Sequence, residues 1–170
     1  MSTPDTAAEQ LLDLARKQAQ QAEVYMVSYT ETPVSFEANR LKNITTREAW
    51  GLALRVIKDG RIGFAAGNGA TDLQALADAA AETAQFGAQA HFDMPGRADY
   101  PTVEVFDPAV EALPVDQLVQ AGQSAIDQVV RRTEGLLCDA SVRRRVASVT
   151  IESTRPVRGT CRLMTPLPSS

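Results

Sequence analysis

Three sets of side chains in this sequence could carry chemistry: the single histidine with its neighbours, the two cysteines, and the charged residues around an Asp-Gly turn. His91-Phe92-Asp93 puts an imidazole and a carboxylate two residues apart, and with one cysteine these would supply the three protein ligands that a catalytic zinc commonly takes. No second metal-type motif accompanies them, so the plainer reading of His91 is a surface histidine. Cys138 beside His91 would make a nucleophile with its base, and Arg131 and Arg132 could favour the thiolate. Cys138 ends the apolar run Leu136-Leu137-Cys138, however, which makes it read better as a small core residue. Cys138 and Cys161 show no paired metal-type spacing and are expected to be reduced. Gly67-Asn68-Gly69 lacks the later Gly and Lys of a phosphate loop and reads as a turn. No catalytic, cofactor-binding or metal-ligating residue is therefore assigned to this chain.

The third set is Arg55, Asp59 and Arg61, and its meaning depends on the element that holds it. Along Ala49 to Gly67, Leu52, Leu54 and Val56 alternate with Ala53, Arg55 and Ile57, which puts an apolar row on one face of a strand. Lys58-Asp59-Gly60-Arg61 supplies a pair tolerant of positive φ, suited to a tight hairpin turn, and Ile62 to Ala66 returns as the partner strand. Gly63 and Gly67 in that returning strand mark a bulge or a close approach.

The remaining elements form a coarse frame. Thr3-Pro4-Asp5 opens a first helix carrying Ala8, Leu11, Leu12, Ala15 and Ala19 on one side. Strands are expected over Glu23 to Thr30, Val34 to Ala38 and Leu41 to Thr46, with Asn39-Arg40 as a turn. Thr71 with Gln74 fits a capping box for a second helix on Leu73, Leu76, Ala77, Ala80 and Ala84, stopped by Gly87. Four prolines and glycines, Pro95, Gly96, Pro101 and Pro108, make Ala88 to Ala112 an irregular connection. Leu113-Pro114 opens a third helix along Val115, Leu118, Val119, Gly122, Ala125, Ile126, Val129 and Val130. Ala147, Val149 and Ile151 alternate with Ser148, Thr150 and Glu152, as in a strand with its apolar row buried. Sequential strands on short turns favour antiparallel pairing. The fold class expected is α+β, a mostly antiparallel sheet of four to six strands packed with two or three helices.

The hairpin pattern G-x-x-L-R-V-x-x-D-G-R-x-G-F-A, set in this order of elements, resembles the amino-terminal domain of the TldD/PmbA family, long labelled modulators of DNA gyrase and understood as two-component metalloproteases. The run Phe106-Asp107-Pro108-Ala109-Val110-Glu111-Ala112-Leu113 is more similar to the PmbA branch, also called TldE. The resemblance covers roughly residues 7 to 162 and implies a domain over 1–162 followed by a Pro- and Ser-containing tail at 163–170. It also implies that the metal motif, a His-Glu-x-x-x-His helix with a distant Cys, belongs to the carboxy-terminal domain of TldD-type members. No cofactor is then expected in this chain, and zinc only in a TldD-type partner subunit. The implied role is a non-catalytic scaffold enclosing unfolded peptide, inactive alone, with Arg55, Asp59 and Arg61 shaping the space that peptide enters. Solvated hairpin charges are the competing reading of those three residues. Where family members continue into a second domain, Ser153-Thr154-Arg155-Pro156 and Gly159-Thr160-Cys161-Arg162 depart from the family pattern, and Pro156 would interrupt a strand. The expectation here is a fragment or a disrupted reading frame without the carboxy-terminal domain.

Composition limits the alternatives. At 170 residues, 44% hydrophobic and 22% charged, the chain can bury about two thirds of its unfolded surface. No apolar run approaches the roughly 20 residues of a membrane span, and the first 15 residues contain acids, so a cytoplasmic location is expected. The formal charge is −4, yet Arg131, Arg132, Arg143, Arg144, Arg145, Arg155, Arg158 and Arg162 make the carboxy-terminal fifth basic. That segment has no aromatic residue, so nucleic acid is not the expected partner. A TldD-type protease subunit is, with self-association also open and peptide as the substrate of the assembly. The alternative is a stand-alone interaction module that regulates a protease or a DNA enzyme such as gyrase.

Overall fold

The computed structural model describes residues 4–96, 101, 103–155 and 157–164. In chain order these form α1 (Pro4–Arg16), β1 (Gln21–Glu37), β2 (Arg40–Ile44), β3 (Arg47–Lys58), β4 (Arg61–Asn68), α2 (Leu73–Thr83), a 3-10 turn (Ala84–Phe86), α3 (Pro108–Glu111), α4 (Val115–Arg132), β5 (Ala140–Ser153) and β6 (Val157–Met164). The strands make one six-stranded antiparallel sheet in the order β4-β3-β1-β5-β6, with β2 also on β1. The α+β expectation holds, with a one-turn α3 beyond the three long helices. Thr3, Pro156 and residues 165–170 of the expected tail lie outside the described residues.

Backbone contacts divide the chain into two units, residues 1–28, 49–104 and 148–161 in the first and residues 29–48, 105–147 and 162–170 in the second. The first is built on α1 and α2, which pack together. Ala7, Ala8, Leu11, Leu12 and Ala15 of α1 join Ala22, Val24 and Met26 of β1, Leu52, Leu54 and Val56 of β3, and Leu76, Ala77 and Ala80 of α2 in one buried cluster. The strand members are even-numbered because side chains alternate between faces, leaving Glu23 and Arg55 on the opposite side. In the second unit, Val34 and Phe36 of β1 bury against Leu118 and Ile126 of α4. Gly122 lies between those two helix residues, and a Cβ there would run into the Phe36 ring.

Four local expectations need correction. Residues 23–30 and 34–38 are one 17-residue strand, not two. Pro33 does not stop it: its carbonyl still accepts from Thr45 N–H, and only the donor is missing. The expected Asn39-Arg40 turn is Ala38-Asn39, both at positive φ, and Arg40 already begins β2. Asp72, not Thr71, caps α2: its Oδ1 accepts from Gln74 N–H at 2.8 Å and from Ala75 N–H at 3.4 Å, reaching the first free amides of the helix. Asp72→Ala should cost about 1 kcal/mol in urea denaturation, whereas Thr71→Ala should leave α2 capped. In β5 the buried row includes Thr150 and Glu152, while Val149 and Ile151 are only half-buried. Thr150 compensates through its hydroxyl, 3.1 Å from that of Thr160 on β6.

Candidate functional site

The β3–β4 hairpin forms as its sequence requires. Asp59 and Gly60 take positive φ of 50° and 71°, and Lys58 pairs with Arg61, Ile57 with Ile62, and on to Gly51 with Asn68. Its three charged residues do not converge. Asp59 is occupied by Gln20, whose Oε1 accepts the Asp59 N–H at 2.9 Å and whose Nε2 donates to Oδ1 at 3.3 Å. Arg61 donates through Nη1 to the Gly87 carbonyl at 2.8 Å, tying the turn to the segment after α2. Both therefore hold the hairpin in place, and neither forms a shared site with Arg55.

Arg55 lies four residues before the turn, on the strand face opposite the helix-covered core. Its Nη2 donates to Glu23 Oε1 at 2.8 Å, with the Glu23 side chain 13% exposed and that of Arg55 41%. Its Nε is buried without a hydrogen-bond partner, and its Cζ stands 5.5 Å from the centre of the Phe92 ring, within cation–π range. Phe64 is its direct partner across the β3–β4 ladder and is exposed, as is Tyr25, two positions from Glu23 on β1. One guanidinium among three accessible rings suits binding: it can donate hydrogen bonds to a carbonyl or carboxylate beside apolar groups.

The segment after the 3-10 turn crosses this region. Phe92 meets Arg55, Asp93 accepts from Gln21 Nε2 at 2.7 Å and stands 3.4 Å from Arg155 Nη2, and Met94 is fully buried. Gln21 Oε1 accepts the Met94 N–H at 2.7 Å, Arg155 Nη1 donates to the Met94 carbonyl at 3.4 Å, and Ser153 Oγ, whose one hydrogen also faces the Arg155 carbonyl, stands 3.2 Å from the Pro95 carbonyl. No local periodicity pointed to Gln21, Met94, Ser153 or Arg155, because their partners lie roughly sixty to seventy residues away. His91 is exposed, and among the described residues no three His, Cys, Asp or Glu side chains are placed to hold a metal ion. Cys138 is half-buried, short of the fully buried core position expected, because Asn39 draws its backbone to the rim. Asn39 Oδ1 accepts the Cys138 N–H at 2.7 Å while Asn39 N–H donates to the Cys138 carbonyl at 3.0 Å.

The arginine run of β5 is engaged within the second unit. Arg143 pairs with Glu31 at 3.1 Å, Arg145 covers the Tyr29 ring at 4.2 Å, and Arg144 donates to the carbonyls of Glu111 and Leu113.

Residues 22–84 match the model for PmbA/TldA metallopeptidase domain 1. Over that stretch the chain is similar to the first domain of PmbA/TldD-type proteins. That match contains the whole of the β3–β4 hairpin and the Glu23–Arg55 pair. The TldD/PmbA-type fold extends further than the sequence match. TldE from Thermococcus kodakarensis superimposes with a TM-score of 0.76 at 16% identity, over 93% of this chain and 37% of that one. A protein named as a modulator of a DNA gyrase from Thermotoga maritima gives 0.77 at 16% identity over 95% and 38%. A like-named protein from Bacteroides thetaiotaomicron gives 0.75 at 16% over 96% and 40%. The chain therefore spans well under half the length of the solved structures it matches. No protein of curated function matches it. Among the described residues no helix is long and apolar enough to cross a membrane.

Proposed function

We propose that this chain is the amino-terminal, non-catalytic scaffold of a PmbA/TldE-type subunit, which encloses unfolded peptide while a TldD-type partner carrying zinc hydrolyses it. The observation that carries this reading is the superposition on TldE over 93% of the chain, joined to the domain 1 match at residues 22–84. The local chemistry supports the same division of labour. The Tyr25, Arg55, Phe64 and Phe92 surface offers aromatic and cationic contacts to a polypeptide, and this reading assigns water activation to the other subunit. A cytoplasmic setting goes with this role.

The experiment is co-expression with a tagged TldD-type protein. The chain should be retained on the tagged partner, and metal analysis should place zinc with the partner alone. The purified chain should cleave no unstructured peptide, and metal-dependent turnover that persists through repurification would overturn the assignment. DNA binding with a steep salt dependence would instead favour a module that regulates a DNA enzyme such as gyrase.

A further inference from the structure

The segment Phe92–Pro95 is held like a bound ligand. It belongs to no strand or helix, and its main chain is read by side chains from elsewhere in the first unit: Gln21 takes the Met94 N–H, Arg155 reaches the Met94 carbonyl, and Ser153 reaches the Pro95 carbonyl. Gln21 uses its other amide atom on the Asp93 carboxylate, which also faces Arg155. One side chain, that of Met94, is withdrawn completely from solvent, while Phe92 remains about half exposed on Arg55. Main-chain contacts of this kind are indifferent to side-chain identity, so selectivity comes from the methionine-sized hole and the position before it. The methionine side chain is unbranched and adaptable, which makes such a hole tolerant of related apolar groups.

We propose that Phe92–Pro95 is an internal occupant of a peptide-binding seat formed by Gln21, Ser153 and Arg155, and that an extended segment with an apolar residue preceded by an acidic one binds there when the strap lifts. The proposal deepens the peptide-handling role above by locating a contact apart from Phe64 and Tyr25. Lifting should be a local event. Apart from Met94, the strap is attached by one exposed and three part-buried hydrogen bonds, the Phe92–Arg55 contact and one ion pair with both members at least half exposed, contacts that can open without global unfolding. An intramolecular occupant also enjoys a high effective concentration, so an external peptide competes poorly until the strap is weakened.

The test uses the full chain and a fluorescent six-residue peptide, His-Phe-Asp-Met-Pro-Gly, read by anisotropy. Met94→Ala, whose own strap no longer fills the hole, should bind it at least about tenfold more tightly than the unmodified chain. Binding should vanish for the same peptide with aspartate in the methionine position, and again when Gln21→Leu is added to the protein. Equal or undetectable binding by the unmodified and Met94→Ala chains, with cooperative melting retained, would overturn the seat. If Met94→Ala does not fold, Asp93→Ala, which removes only exposed contacts, takes its place with the same two readings. Failure of the TldD-type partner to be recovered would defeat the functional assignment while leaving this binding result intact.

Discussion

Gly63→Ala should lower the melting temperature by about 10 °C, corresponding to roughly 3 kcal/mol in a chain of this size. The reason is the approach of α2 to β4. A methyl group at Gly63 would press into the Ala80 carbonyl oxygen, with Ala84 Cβ and the Ala84 amide nitrogen both 2.9 Å away. These are backbone atoms and a short side chain in a buried stretch, so no rotamer change relieves the overlap, and α2 must move off the strand. The adjoining residue depends on the same approach. Thr83 Oγ1 accepts the Phe64 N–H at 3.0 Å and lies 3.1 Å from the Phe64 carbonyl, covering a peptide group on the outer edge of β4. Displacing α2 would uncover that edge, and an unpaired strand edge invites association between chains. Thermal melting with light scattering checks both effects. Gly96→Ala serves as the control, because a Cβ at Gly96 meets nothing within 4 Å, and its effect should stay within about 0.5 kcal/mol.

Arg55→Ala should destabilise the chain by about 2 kcal/mol in urea denaturation, since it leaves the largely buried Glu23 carboxylate without its guanidinium. The value lies below the range for fully buried pairs because the Arg55 side chain is 41% exposed and solvent screens it. Glu23→Ala alone should cost less, because the guanidinium it leaves behind can still reach water and the Phe92 ring. The double variant Glu23→Ala/Arg55→Ala should recover about 1 kcal/mol relative to the sum of the single changes. Full additivity would show that the two groups do not interact across β1 and β3. Arg55→Met, which keeps an apolar stem over Phe92, should restore part of the packing but none of the coupling, separating the ring contact from the charge.

The two outcomes bear on function differently. The Gly63 contact supports the hairpin from the helix side, so Gly63→Ala should weaken folding and any capture that depends on it together. The Glu23–Arg55 pair lies on the opposite face, where Phe64 and Tyr25 are accessible, and a folded Arg55→Met chain can therefore be tested for peptide capture separately from recovery by the proposed TldD-type subunit.

Much of this architecture was legible from residue order because its causes are local. The Asp59-Gly60 pair demands a two-residue turn, and the alternation of Leu52, Leu54 and Val56 sets which face of β3 meets the helices. The spacing of Leu118, Gly122 and Ile126 likewise marks the buried stripe of α4, since neighbours on a helix face recur every three to four residues. Where two local signals competed, the outcome depended on geometry finer than spacing: Thr71 and Asp72 are both competent caps, and only the path into α2 put the Asp72 carboxylate beside the free amides.

Tertiary structure alone decided what the charged and polar residues do. Asp59 and Arg61 sit beside each other in sequence with Arg55 and looked like one group, but Gln20 and the Gly87 carbonyl claim two of them and Glu23 the third. The β5 arginines resembled a basic surface until Glu31, Tyr29 and two main-chain carbonyls met them. Thr150 is buried against a hydroxyl from the next strand, which no alternation of apolar residues announces. Hydrophobic periodicity and turn chemistry act between near neighbours along the chain, so they can be read directly. A polar side chain is satisfied by whatever donor or acceptor folding brings within about 3 Å, and that partner comes from remote positions that the local pattern does not specify.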